Sequence, residues 1–340
     1  MPRASMLRSL LYFAGLLLVL PFGITRAAHA QVMPTRNWQR ALAQARSMLP
    51  GTSNDGVPYH LHYDLHFRGP HDSDRIGTYD IYVDPHRFRR TDIDSGDFHE
   101  TFVENVQDNS ASWRSITGEM PLGIYDFESI LRDPSPAIFA IDHSESPKPP
   151  VVRQQILEGS PYDCADDGEM ARVCFDPFTR VFAIAQILNQ SFVYSDWIPM
   201  NGAQRNRRAI PSLIRIYDGK TLLLTANGKV EKFQQFAPLF FVRTSPQQKD
   251  PVELRPVVRF GDFKAVPWYG NAAVRITVNA EGKVEHADVV DIDNHKIEHA
   301  AVKFIRDLRF RPASEVPDAP ATFTTLFYLR YLPRAGMSLP

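Results

Sequence analysis

Residues 272–313 read AAVRITVNAEGKVEHADVVDIDNHKIEHAAVKFIRDLRFRPA, and residues 321–331 follow with ATFTTLFYLRY. Val274, Ile276 and Val278 alternate with Arg275, Thr277 and Asn279, the period of two that a strand with one buried face requires. Glu281-Gly282 supplies a turn. A second strand runs from Val284 to about Val290, where the apolar positions Val284, Ala287 and Val289 slip phase once, as a bulge would make them. Asp293 or Asn294 can cap a helix whose apolar residues Ile297, Ala300, Ala301, Phe304 and Leu308 recur at three- and four-residue steps. The unit reads as strand, turn, strand, helix, strand.

This stretch resembles the C-terminal domain of TonB energy transducers, over residues of about 260–334. The resemblance rests on Glu281-Gly282-Lys283-Val284 after a hydrophobic strand, the paired Ala300-Ala301 in the helix, and Phe310-Arg311-Pro312-Ala313 at its exit. It implies a small β-β-α-β module at 259–334 in which the last strand captures an extended partner peptide through main-chain hydrogen bonds. Phe323, Thr324, Thr325, Leu326, Phe327, Leu329 and Tyr331 are then the candidate partner-binding residues, on a strand read as an exposed edge. The partner implied is an envelope protein or peptide, with a link to TonB-type envelope transport. Transducers of that family also carry a long proline-rich spacer and a membrane span with a His. Here 244–258 (with TSPQQKDPVELRP) is a short linker and residues 12–19 hold no His, so energy transduction itself is not expected.

With 340 residues, 44% of them hydrophobic, the chain can bury two separate cores. The net charge of −1, from 38 basic and 39 acidic residues, leaves no footprint for nucleic acid. Its 27 prolines favour short strands and loops over long helices. The first thirty residues carry Arg3 and Arg8, then the apolar run from Leu10 to Leu20, then Ala28-His29-Ala30, the pattern of a secretory signal cleaved before Gln31. A periplasmic location follows. An inner-membrane anchor through residues 7–25 is the alternative, and membrane contact is expected only if the segment stays attached. Within 31–54, Trp38, Leu42, Ala45 and Leu49 space as a weak amphipathic helix ending before Pro50-Gly51.

Residues 55–243 are mostly β. Tyr59, Leu61, Tyr63, Leu65 and Phe67 alternate with polar residues, as do Tyr79, Ile81 and Val83 after a turn-rich stretch. Ten further strands are expected: 87–93, 98–106, 112–116, 151–157, 172–175, 181–188, 191–197, 213–217, 220–225 and 230–236. Between them, 127–131 is a short helical piece. Many short strands with regular turns imply a strongly curved antiparallel sheet, and the class is α+β, mostly β. GTYDIYVDPHRFRR at 77–90 and FVYSDWIPMNGAQRNRRAIPSLIRIYDGKTLLL at 192–224, with Asp196, Gly202, Pro211 and Gly219, resemble the LolA and LolB type of half-barrel. That resemblance implies a lipid or lipoprotein carrier with an apolar concavity lined by inward aromatics such as Tyr63, Tyr79 and Phe88.

Four groups of residues bear on chemistry. Cys164 and Cys174, an even count at close spacing in an exported chain, favour a disulfide around the acidic loop ADDGEMARV, contributing about 2–3 kcal/mol. His295-Lys296-Ile297-Glu298-His299 matches the H-x-x-E-H of zinc peptidases, where His295 and His299 would bind the metal and Glu298 act as base. A third ligand is needed, Glu315 is the one Glu left downstream, and the helix must bury Ile297. These residues therefore read as a solvated first turn, and a zinc-dependent hydrolase is the minor alternative. His60, His62, Asp64 and His66 share one face of a strand, where His60, His62 and His66 are weak metal candidates or else the solvent face. Arg205, Arg207 and Arg208 form a basic turn that is solvated or touches a phosphate. No Walker, G-x-S-x-G, H-E-x-x-H or dinucleotide glycine pattern occurs. The expectation is a binding protein and no enzyme, with no cofactor.

Overall fold

The computed structural model describes residues 35–46, 58–70, 73–84, 87–105, 112–132, 137, 150–157, 159–166, 171–200, 208–232, 235–237, 239–242, 268–310, 322–332 and 336–338. The signal-like segment, the basic residues Arg205 and Arg207, the linker at 244–258 and Glu315 lie outside them.

Twelve strands build one antiparallel sheet. They are β1 (Tyr59–Arg68), β2 (Asp74–Asp84), β3 (Phe88–Ser95), β4 (Phe98–Asn105), β5 (Trp113–Thr117), β6 (Val151–Leu157), β7 (Ser160–Asp166), β8 (Ala171–Phe175), β9 (Phe182–Ile187), β10 (Gln190–Met200), β11 (Arg208–Asp218) and β12 (Thr221–Lys232). Their order is β5-β4-β3-β2-β1-β12-β11-β10-β9-β8-β7-β6. The chain therefore winds outward through five strands, crosses to the opposite edge, and winds back until β12 lies beside β1. The crossing carries helix α2 (Leu122–Arg132), which lies on the inner face of the curved sheet.

The alternation read in β1 is the physical reason for this arrangement. Tyr59, Leu61, Tyr63, Leu65 and Phe67 are all buried, while the residues between them are partly or fully exposed. One face must be covered, and α2 covers it with Ile124, Phe127, Ile130 and Leu131. The Phe127 ring meets Tyr63 edge-on at 5.1 Å and Tyr79 at 5.3 Å. Gly123 makes the approach possible, since a Cβ there would lie 2.4 Å from Phe67. Helix α1 (Thr35–Arg46) covers more of the same face through Trp38, Leu42 and Ala45, with Trp38 at 5.5 Å from Phe175.

Three expectations need correction. The helical piece at 127–131 is an 11-residue helix from Leu122 and the centre of the larger core. Residues 160–166, not expected as a strand, form β7, which places Cys164 directly opposite Cys174 on β8, and the two form the expected disulfide. The two strands read at 220–225 and 230–236 are mainly one strand, β12, twelve residues long. Asn227-Gly228 would suit a turn, but Gly228 lies across from Tyr63, whose ring occupies the space a Cβ would need.

The smaller sheet contains β13 (Gly270–Val278), β14 (Val284–Ile292), β15 (Phe323–Leu332) and β16 (Gly336–Ser338), in the order β14-β13-β15-β16. Register shifts interrupt the β13–β14 pairing twice. Helix α3 (Glu298–Asp307) follows a short 3-10 turn capped by Asn294, whose side chain accepts from the Lys296 amide. Val274, Ile276 and Val278 meet Ala301, Phe304 and Ile305 in a second hydrophobic cluster. The strand expected as an exposed edge, β15, is covered by β16 only at its end, where β16 pairs with Arg330–Leu332.

Candidate functional site

The face of the smaller sheet turned away from α3 meets the larger sheet and α2. Tyr125 of α2 stacks on Tyr328 of β15 at 4.9 Å and 17°. The Tyr328 hydroxyl donates to the Met120 carbonyl, Arg275 donates to Glu119 at 2.8 Å, and Gln190 donates to Asp293 at 2.7 Å. This joint is polar where each core is apolar.

On one side of the joint lies a groove of about 910 Å³. Its floor is the inner face of β4 and β5, with Phe98, Phe102 and Ile116; α2 forms one wall, and Thr324, Leu326 and Tyr328 of β15 close it opposite. Its volume lies within the range of small-molecule sites, roughly 300–1,000 Å³. Charge enters the floor itself, since Glu100 alternates with Phe98 and Phe102 on β4 and lies directly opposite Ile116 on β5. Arg114 donates to Glu100 through two nitrogens, at 2.7 and 2.9 Å, which neutralises a carboxylate that is otherwise buried. Glu119, Glu128 and Arg330 complete the polar lining.

On the other side lies a cavity of about 450 Å³ lined by Asp126, Asp218, Asp291, Asp293 and Glu298, with Arg68 and His295. Burial raises the Asp126 carboxyl well above its ordinary value, and nearby Asp293 adds to this while Arg330 opposes it. Withdrawal from water likewise holds Asp293 up at about 7, against hydrogen bonds from the Asn271 amide and side chain and from Gln190. The Oδ1 of Asp126 has no hydrogen-bond partner among the described residues.

The candidate partner-binding residues separate into three environments. Leu329 and Tyr331 are buried in the smaller core, which corrects their reading as an accessible surface. Phe323 and Phe327 are partly buried against Phe310, at 5.9 and 6.2 Å. Thr324, Thr325 and Leu326 line the groove. The inward aromatics are also redistributed. Tyr63 and Tyr79 are buried under Phe127, so the centre of the concavity is packed with side chains. Phe88 instead stacks on Phe241 at 5.2 Å, where the segment 239–242 crosses the outer face. The Arg90 guanidinium holds that segment by donating to the Phe240 carbonyl at 2.8 Å.

The zinc-peptidase reading is overturned by geometry. His295 belongs to the 3-10 turn, with His295, Glu298 and His299 all exposed, and these three do not converge as a ligand set. Among the described residues one group of three converges on a common point: His60, His62 and Asp80. His66 stands apart from it. Asp80 comes from β2, and its role could be found in the sequence only by aligning β1 with β2.

No family model matches this chain, and no curated protein matches it. Similar solved structures include a LolA superfamily protein from Nitrosomonas europaea, with TM-score 0.31 and 9% identity over 60% of this chain and 97% of that one. A putative outer membrane lipoprotein-sorting protein domain from Vibrio parahaemolyticus gives 0.33 and 7%, over 61% and 95%. A DUF1329 family protein from Desulfovibrio piger gives 0.33 and 7%, over 60% and 96%. At these scores no property of those proteins transfers to this chain.

Proposed function

We propose that this chain is an exported, non-catalytic binding protein that carries an amphiphilic, acyl-bearing ligand such as a lipid or lipoprotein in the groove between β4, β5, α2 and β15. One observation carries the reading: a groove of about 910 Å³ on the inner face of the sheet that gathers Phe98, Phe102, Ile116, Met120 and Leu326, with the floor carboxylate of Glu100 neutralised by Arg114. An acyl chain lies along Phe102, Ile116 and Leu326, and the polar part of the ligand meets Arg114 and Arg330. The buried disulfide and the signal-like leader support an oxidising, periplasmic setting. The ligand site is thus at the β4–β5 end of the concavity, since α2 occupies the centre.

A fluorescent fatty-acid analogue titrated into the purified protein should bind saturably. Ile116→Glu and Leu326→Glu should each weaken it at least tenfold while circular dichroism stays unchanged, by placing a charge against the chain. Absence of saturable binding, or wild-type affinity in both folded variants, sinks the reading.

A second reading concerns peptide capture. Residues 323–329 of β15 have no described strand on their outer side, because β16 pairs only with Arg330–Leu332. An extended peptide adds there. Thr325→Pro removes one main-chain donor from this stretch; it should abolish peptide capture in a pull-down while circular dichroism shows the larger sheet still folded. Unchanged capture would refute strand addition.

A further inference from the structure

The outer face of β1 carries a constellation that ligand binding in the groove does not use. His62 on β1 lies directly opposite Asp80 on β2, and His60 lies one side-chain step along the same face. His60 Nε2 and His62 Nδ1 both point at the same oxygen, Asp80 Oδ1, at 2.6 and 2.8 Å. The three ligand atoms all lie within 4.8 Å of one another. They are also sheltered, with side-chain exposures of 15% for His60, 16% for Asp80 and 26% for His62.

The second nitrogen of each ring provides an independent observation. His62 Nε2 faces Asp64 Oδ1 at 3.1 Å, and His60 Nδ1 faces Glu231 Oε2, across the strand pair β1–β12, at 3.7 Å. Each imidazole thus points one nitrogen at a common centre and the other at an outer carboxylate. Metal-binding histidines adopt this arrangement because the outer carboxylate fixes the tautomer and raises ligand basicity. The His60 ring is further fixed by stacking on Tyr82, at 4.2 Å and 7°, and Tyr82 is backed by Phe240 at 4.8 Å.

We propose that His60, His62 and Asp80 bind a divalent transition metal, zinc being the best suited to two imidazoles and one carboxylate, with Asp64 and Glu231 as the outer carboxylates. A fourth position is left for water or an added ligand, because three protein ligands do not complete a tetrahedron. At metal–ligand distances of about 2.0–2.2 Å the donor atoms stand roughly 3.3 Å apart, so the carboxylate of Asp80 withdraws from the rings by several tenths of an ångström as the ion enters. Three carboxylates surround this spot and Lys229, at 3.5 Å from Asp64, is the cation recorded beside them, so a dication improves the charge balance. The ion would tie β1 to β2 on the face opposite the core and leave the groove untouched.

The test is a zinc titration of chelator-stripped full-length protein against a chromophoric zinc indicator, with cobalt as a spectroscopic substitute. One equivalent should bind with sub-micromolar affinity, and cobalt should give the intense visible absorption of a four-coordinate site. His62→Gln and Asp80→Asn should each weaken zinc at least a hundredfold, and Asp64→Asn and Glu231→Gln about tenfold, as outer-carboxylate changes do. His66→Ala and His299→Ala should bind as wild type does. Weak or absent zinc binding by the wild type overturns the site. So does wild-type affinity in folded His62→Gln and Asp80→Asn, or loss of binding in His299→Ala.

Discussion

Gly123 shows how one small residue sets the distance between two layers. A methyl group at that position meets Phe67 at 2.4–3.0 Å along its ring and Cβ, and Phe67 is itself buried in β1. The ring has nowhere to retreat, so Gly123→Ala must lift α2 or distort the rotamer. Overpacking of this kind costs about 1–3 kcal/mol, more than the helix propensity gained. Urea denaturation should show that loss, and a variant as stable as wild type would mean that α2 sits less tightly on the sheet.

Asp126 presents a different problem at the same scale. Its raised carboxyl value comes first from burial and then from Asp293, with Asp291 adding and Arg330 opposing. The folded chain therefore keeps a proton that the unfolded chain releases near the ordinary carboxylate value of about 3.9. Such a proton stabilises fully below that value, and the contribution is lost as pH rises through the folded-state value. Asp126→Asn replaces the acid with a neutral side chain of the same shape. It should change stability little at about pH 4 and make the protein more stable than wild type above neutrality, with a flatter dependence between them. Parallel pH profiles for variant and wild type would contradict this.

Among the elements, legibility in the sequence followed the local period. Strand β1 could be read because Tyr59, Leu61, Tyr63, Leu65 and Phe67 alternate without interruption and are all buried. The unit from β13 to α3 could be read for the same reason, including the slip in β14 and the Asn294 cap. Strand β7 could not, because Pro161, Asp163 and Asp166 obscure its alternation, and only its neighbours β6 and β8 make it a strand. Helix α2 was half legible, since Pro121 and Gly123 look like a turn in sequence, yet the Pro121 carbonyl starts the helix by accepting from Ile124 and Tyr125. The metal-type cluster divides in the same way: His60 and His62 share a local period, while Asp80 and Glu231 arrive from β2 and β12 through register. The groove was not legible, because its walls come from segments about 200 residues apart, as in the hydrogen bond from Tyr328 to Met120.

The central position of α2 makes its own prediction. Phe127 is fully buried and touches the rings of both Tyr63 and Tyr79. Phe127→Ala leaves a cavity between layers that cannot collapse around the Tyr63 and Tyr79 rings, and should cost about 3–5 kcal/mol. The disulfide sits farther out, between adjacent strands, and closes a short loop with a sequence separation of 10. Replacing both cysteines with alanine should cost about 2–3 kcal/mol, less than the helix substitution. Denaturation of the two variants side by side gives the order, and a reversed order would place the sheet's stability in the β7–β8 hairpin.

At the scale of the whole molecule, two hydrophobic clusters are joined by an interface of different character. The larger gathers the inner face of the twelve-stranded sheet with α1 and α2, and the smaller gathers β13–β15 with α3. Between them lie tyrosine stacking, the Gln190–Asp293 bond, the Arg275–Glu119 pair and the acidic pair Asp126 and Asp293. The Arg275–Glu119 pair is solvent-exposed and contributes at most about 1 kcal/mol, so the joint depends on its buried groups. Among these, Asp293 is held at about 7 and faces Asp126 of α2, Asp218 at the end of β11 and Arg330 of β15. Below that value Asp293 is neutral and the joint costs little in charge. Above it, Asp293 ionises in the same enclosed space beside Asp126, whose carboxyl burial also holds up, so charge enters a site withdrawn from water. Coupling between the clusters should therefore weaken with rising pH while each core, which is apolar, keeps its own stability. Calorimetry should record one cooperative transition at about pH 5 and two resolved transitions at about pH 9. The first to melt at high pH should be the smaller cluster, because it buries less apolar surface. In Asp126→Asn the single transition should persist to higher pH. One transition in wild type at both pH values would show that the joint is no weaker than the cores it connects.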